Sequence, residues 1–254
     1  MSVTNTLFIG KNFIQFPELA STNAAAQELL TTTKPSEGTV ITAVRQSAGR
    51  GQAGSQWESE AGKNVTMSVI LYPHFLVVQQ QFWLNRAITL GVRDTIAKLL
   101  GQSVKLKWPN DIYIKDKKVA GILIQNSLLG AKIQASIIGI GLNVNQTVFL
   151  SDAPNPTSLQ LESQHSFDLP EVIQMLCQQI ELRYLQLRGH KYSFLAADYL
   201  RHLYRYQQPA VFRGSDGMTF NGQIIGVTDI GQLCIQKEDG QLQRYMFKEV
   251  AHVI

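Results

Sequence analysis

Four glycines and one arginine give the chain its clearest chemical signal. Gly49-Arg50-Gly51 and Gly54, followed by Trp57 and Gly62, lie between two β-branched runs, 39–46 and 64–72, which predict a pair of strands. Glycine at this density lets backbone N–H groups approach a ligand with no β-carbon in the way. Arg50 adds a permanent cation with a planar fork of donors, so the loop is suited to fold over an anion. Gly49-x-Gly51-x-x-Gly54 also has the letters of a dinucleotide-binding turn, but that turn needs a helix after its last glycine, and here a strand follows. A phosphate-binding P-loop needs Gly-Lys-Ser/Thr, whereas Gly54 is followed by Ser55 and Gln56. A plain surface loop is the remaining alternative.

Three further clusters carry polar chemistry. Lys107-Trp108-Pro109-Asn110-Asp111 closes a short alternating run, 103–109. Lys107 and Lys105 fall on one strand face, and Pro109 stops pairing, which places the Lys107 ammonium where a strand opens towards a site. One of the two lysines is equally read as an ordinary edge residue. Gly139-Ile-Gly141-Leu-Asn143 ends the strand-like run 133–145. Ser21-Thr22-Asn23 precedes an alanine-rich helix over 24–30, either as N-cap chemistry or as hydroxyls and an amide facing a polar ligand. Lys115, Lys117 and Lys118 read most simply as a solvated turn.

The elements that must position these residues alternate in type. Apolar residues at helical spacing predict one long buried helix over 79–100, closed by Gly101, with Trp83 in the core. Runs 111–115 and 118–125 flank a hairpin turn at Asp116-Lys117, 151–166 reads as a connection, and two amphipathic helices are predicted over 169–187 and 192–206. From Gln208 short strands punctuated by Asp216-Gly217, Asn221-Gly222 and Asp239-Gly240 predict a small β-barrel. The fold class is therefore α+β, with a mixed, largely antiparallel sheet and packed helices over 1–207 and a small barrel over 208–254.

Composition narrows the function. The 254 residues are 44% hydrophobic, enough for a core, and the net charge of +4 with a pI near 9.0 suits an anionic ligand without arguing for nucleic acid. Two cysteines outside any Cys-x-x-Cys pair exclude a disulfide framework or zinc site and fit a reducing compartment. The first residues lack the pattern of a signal peptide, and no run is long enough for a membrane span, so a cytoplasmic protein is expected.

In this order along the chain, Ser21-Thr22-Asn23, Gln46 with Gly49-Arg50-Gly51-x-x-Gly54-x-x-Trp57, Gly62-x-Asn64, Lys107-Trp-Pro-Asn-Asp-Ile, Lys118-Val-Ala-Gly121-Ile-Leu and Gly139-Ile-Gly-Leu-Asn-Val-Asn resemble the motifs of biotin protein ligases. The resemblance covers roughly residues 15–146 and, more loosely, the terminal barrel, which in that family is SH3-like. It implies an enzyme that activates biotin with ATP to biotinyl-5'-AMP and then transfers biotin to a lysine of a carboxylase's biotin carboxyl carrier protein or domain. It implies Lys107 and Arg50 as catalytic residues, and Ser21, Thr22, Asn23, Gln46, Gly49, Arg50, Lys107 and Gly121 as biotin-binding. The nucleotide side falls to Gly51, Gln52, Trp57, Asn64, Asn110 and Asn143. Mg²⁺ is expected to arrive with ATP without a dedicated protein cage, and no tightly bound prosthetic group is expected.

Three departures from the family pattern matter. Gln52, Ala53 and Ser55 stand where the loop often carries basic residues, which predicts weaker retention of the adenylate phosphate. Gln125 stands where some members have glutamate. The chain enters the catalytic region almost at once, without a helix-turn-helix, so no DNA binding is expected; it is read as a monomer or homodimer. A lipoate or octanoate ligase of the same fold is the alternative enzyme. A non-enzymatic biotin or nucleotide sensor is the alternative outside catalysis, which would not need Lys107.

Overall fold

A computed structural model describes residues 5–151 and 155–253. Residues 1–4, part of the N-terminal stretch read as lacking a signal-peptide pattern, and residues 152–154 of the predicted connection lie outside them. Strands β1 (Phe13–Leu19), β2 (Val40–Gln46), β3 (Val65–Leu71), β4 (Lys105–Lys107), β5 (Asp111–Ile114), β6 (Lys117–Leu129) and β7 (Lys132–Leu142) form one seven-stranded sheet in the order β1-β2-β3-β7-β6-β5-β4. Only β1 and β2 pair in parallel; the other neighbours are antiparallel, the mixed, largely antiparallel sheet expected. β3 is buried at every position because it lies centrally and is covered on both faces.

The two faces differ in what they bury. Val65, Met67, Val69 and Leu71 of β3, with Ile138, Ile140 and Leu142 of β7, point into the main core beneath helices α2 (Gln81–Leu100) and α4 (Leu169–Arg188). Gly101 takes a left-handed φ of 62° and ends α2, as its position predicts. On the opposite face a small cluster of Ile41, Ile70 and Ile137 holds α1 (Thr22–Thr32) through Ala26. Further along that face, apolar residues give way to Thr66 and Ser68 on β3 and to Gly139 and Gly141 on β7. This exchange clears a polar floor beside the start of α1.

Three elements differ from expectation. β1 carries no turn signals and was not expected as a strand; its pairing with β2 supplies the order. The connection after residue 151 contains a short helix, α3 (Leu159–Ser163), capped by Ser158. Helix α5 (Tyr192–His202) ends earlier than predicted, because the chain turns there to pair Tyr204 N–H with the Leu106 carbonyl at 2.8 Å.

Strands β8 (Pro209–Gly214), β9 (Thr219–Val227), β10 (Leu233–Lys237), β11 (Leu242–Tyr245) and β12 (Val250–His252) form a second antiparallel sheet, ordered β11-β10-β9-β8-β12. It is held to the first by α2: Arg86 donates to the carbonyls of Val227 (2.8 Å) and Thr228 (3.0 Å) and pairs with Asp229 (3.2 Å). Among the described residues no helix is long and apolar enough to cross a membrane.

Candidate active site

Strand register builds the site before any side chain is considered. Directly paired residues of an antiparallel ladder share a face. Thr66 pairs with Gly141, Gly141 with Gly121, Gly121 with Asp111, and Asp111 with Lys107, so one row crosses five strands from β3 to β4. Its middle is a trough of two glycines. The Trp57 ring lies in that trough, where a β-carbon at Gly141 would overlap it and one at Gly121 would approach it to 3.1 Å. A second row pairs Ser68 with Gly139 and Gly139 with Leu123. Gly139 is the place where Asn23 seats, since a β-carbon there would overlap its amide.

The start of α1 is turned to the same floor. Ser21 occupies the N-cap position, yet its hydroxyl makes no capping bond; the Gln46 side chain accepts the Thr22 N–H instead, at 2.8 Å. Thr22 and Asn23 are fixed by the Ser68 hydroxyl at 2.8 and 2.7 Å, and Asn23 donates to Gln125 at 2.7 Å. The capping reading of Ser21 is therefore corrected. Its side chain faces a cavity.

Two cavities meet under the glycine-rich loop. The first, about 220 Å³, is lined by Ser21, Thr22, Asn23 and Gln46 at one end and by Arg50, Gly51, Gln52, Trp57, Asn110 and Gly121 elsewhere. The second, about 690 Å³, is lined by Lys107, Tyr113, Asn143, Phe149 and Pro156. Ser55, Gln56, Trp57, Asp111 and Lys118 line both. Lys118 pairs with Asp111 at 2.7 Å and lies 5.7 Å from the centre of the Trp57 ring. The solvated-turn reading of Lys118 is overturned: it is the second residue of β6, and pairing with Tyr113 aims the side chain along the site face.

Lys107 lies on the second cavity and not on the first. Its ammonium donates to the Tyr113 hydroxyl at 3.0 Å and sits 4.6 Å from the centre of that ring. Burial pushes its pKa below the usual lysine range; Asp111 opposes this, while Lys118 and Arg205 reinforce it. Among the expected site residues, two stand apart. Gly49 packs its backbone against the Trp57 carbonyl and Gln46. Asn64 is buried, with its amide spent on Ser59, Gln146 and the Val144 N–H, so it braces the ends of β3 and β7.

Three buried polar atoms on the cavity walls lack a hydrogen-bond partner among the described residues: Gln52 Oε1, the Trp57 indole N–H and Asn143 Oδ1. Buried polar groups are ordinarily paired, so a cluster of orphans at one site marks where a polar ligand belongs. Among the described lining residues the cations, Arg50, Lys107 and Lys118, outnumber the carboxylates, Asp111 and Glu58, which suits anionic groups brought together. A carboxylate, Glu58, braces the outer wall by accepting from Leu150 N–H (2.9 Å), Ser151 N–H (2.8 Å) and Gln146 (3.1 Å). Burial raises the Glu58 pKa, and these hydrogen bonds more than offset it, leaving it below the usual range.

Asp111, Lys118, Gly139, Gly141 and Phe149 are among the site residues that sequence reasoning did not assign. The strand register would have found four of them, given the pairing; Phe149 lies in a segment with no periodic signal.

Residues 16–143 match the model of the biotin/lipoate A/B protein ligase family. The bifunctional ligase/repressor BirA of Bacillus subtilis is 32% identical over 92% of this chain and 72% of its own length. The biotin–[acetyl-CoA-carboxylase] ligase of Mycobacterium tuberculosis is 29% identical over 89% of this chain and 85% of its own. Among solved structures, the biotin protein ligase from Aquifex aeolicus in complex with biotin and ATP superposes with a TM-score of 0.78 at 26% identity, covering 96% of this chain and 99% of that one.

Proposed function

Because the chain belongs to the biotin/lipoate A/B protein ligase family, we propose that it is a biotin protein ligase that joins biotin to a carboxylase carrier domain through an adenylate. The observation that carries this reading is the meeting of two cavities at one cation, Lys118. The first cavity offers hydroxyls and amides (Ser21, Thr22, Gln46), which match an uncharged cyclic urea, and a wall formed by Trp57 seated in the glycine trough. The second, larger cavity takes the nucleotide, with Lys107 and Asn143 on its walls.

A biotin carboxylate oxygen attacks the α-phosphorus of ATP, a new C–O–P linkage forms, and pyrophosphate leaves. Negative charge from both partners converges at the junction, where Lys118 and Arg50 answer it and Lys107 supports the phosphates. No side-chain nucleophile is needed. The acceptor's lysine amine then attacks the acyl carbon and AMP departs, a step that positioning dominates. Mg²⁺ enters with ATP, held by phosphates and water. The acceptor is a biotin carrier domain of a carboxylase, met in the cytoplasm.

The direct test is ATP–pyrophosphate exchange measured separately with biotin, lipoate and octanoate. Exchange with biotin alone is expected; exchange driven by lipoate or octanoate, with none from biotin, overturns the reading.

The loop from Gly49 to Trp57 is expected to close on its ligands. Its glycines make an ordered empty state entropically costly, and ligand contacts offset that cost. Trypsin cleavage at Arg50 should slow severalfold when biotin and ATP are added together. Unchanged cleavage counts against closure.

Gln52→Arg addresses the departure from the family's arginine-rich loop. Gln52 faces the first cavity with an orphaned amide oxygen, so an arginine there brings charge to the site, not to the surface. Charge-assisted hydrogen bonds are roughly twice as strong as neutral ones, and the variant should slow dissociation of preformed biotinyl-adenylate by up to about tenfold. Equal dissociation rates mean that Arg50 and the lysines already saturate the phosphate.

A further inference from the structure

One wall of the first cavity comes from the second sheet. Phe247, in the segment between β11 and β12, lines that cavity as well as two neighbouring clefts between the sheets. Its ring meets Trp108 edge-on, with centroids 6.4 Å apart and planes at 67°. The Trp108 indole N–H in turn donates to the Gly231 carbonyl at 2.9 Å. Gly231, at φ +93°, sits so close to the Phe82 ring that a β-carbon would overlap it at 2.6 Å. With Arg86 holding the carbonyls of Val227 and Thr228, the second sheet is tied to the first, and Phe247 reaches the cavity as part of that docked unit.

Its place in the sheet order says what that wall controls. Ser21, Thr22 and Asn23 sit over β3 and β7, where Thr22 meets Ser68 and Asn23 meets Gly139. Trp108 lies between β4 and β5, on the far side of β6. From β3 to β5 are three strand spacings, roughly 14 Å at about 4.8 Å each. Phe247 therefore closes the cavity at the end away from α1, beside Asp111 and Asn110 and near the junction where the acid's carboxylate must stop.

We propose that Phe247 sets the maximum chain length of the acid that the first cavity accepts, so that the second sheet contributes directly to substrate selectivity. An acid one methylene longer, held by the same polar groups at α1, drives its carboxylate past the junction and against the ring. This rests on the ligase reading above.

The test compares kcat/KM in the adenylation half-reaction, by pyrophosphate exchange, for biotin, homobiotin (one more chain methylene) and desthiobiotin (the same chain, no sulfur). The wild type should disfavour homobiotin by at least roughly tenfold, the usual scale for one methylene in a fitted pocket. Phe247→Ala should remove most of that discrimination, Phe247→Trp should sharpen it, and the desthiobiotin-to-biotin ratio should stay within about twofold in both. The residue is 44% exposed, so truncation leaves no core void, and thermal unfolding reports whether the variants fold. Should the alanine variant misfold, Phe247→Leu and Phe247→Trp still must move the homobiotin ratio in opposite directions. An unchanged ratio, equal losses for all three acids, or an effect confined to transfer onto the carrier overturns the proposal. No exchange by the wild type with biotin overturns the ligase reading itself.

Discussion

Lys118→Ala is expected to slow adenylate formation by roughly 10²- to 10³-fold while leaving the protein folded. The size follows from where the ammonium sits. Groups aimed at charge that develops in the transition state, in a site shielded from water, are worth that much on removal. Lys118 lines both cavities, and its side chain is only 25% exposed. Losing it also leaves Asp111 without its partner, which adds repulsion towards an incoming carboxylate. Lys118→Arg keeps the charge on a longer, planar head and should recover part of the rate. Exchange within about threefold of the wild type would reduce Lys118 to a surface partner of Asp111. Unfolding temperatures measured alongside separate lost chemistry from lost structure.

Lys107→Ala is expected to cost about 10²-fold in the same assay, with a distinct pH signature. Burial, reinforced by Lys118 and Arg205 and opposed by Asp111, holds the Lys107 pKa below that of an ordinary lysine. The working form is the charged one, present below the folded pKa and lost as pH rises through it. The wild-type rate should therefore fall on the alkaline side earlier than an unperturbed lysine would allow. Lys107→Arg, which cannot lose its proton in that range, should flatten the alkaline limb. A limb that persists in the arginine variant belongs to another group, and a near-normal rate in the alanine variant would make Lys107 an edge lysine stacked on Tyr113.

How much of this could be read in the sequence follows from how local each signal is. The glycine-rich loop, the α2 helix with its Gly101 stop and the β5–β6 hairpin announce themselves through nearest neighbours, and the structure contains all three. Arg50 and Gly51 of the loop, Ser21 to Asn23 and Gln46 do converge on one cavity. Lys118 was misread because a lysine beside a turn looks solvated until pairing fixes which face it uses, and β5 and β6 shift register between Ile112 and Tyr113. The role of Gln46 as the acceptor that caps α1 depends on β2 ending beside that helix, a contact across 24 positions. Asn64 carries a motif letter, yet its amide is consumed by the Val144 N–H, just past β7, and by Gln146. Phe247 had no signal at all, since its place at the cavity depends on how two sheets dock.

The central claim is that two cavities meeting at Lys118 join a carboxylate to the α-phosphate of ATP. It is tested most directly by incubating the protein with biotin and ATP, without a carrier domain, and identifying by mass spectrometry what is made. The account predicts biotinyl-5'-AMP retained on the protein with one pyrophosphate released for each. Formation of ADP and phosphate, or bound biotin and ATP left unjoined, would contradict it.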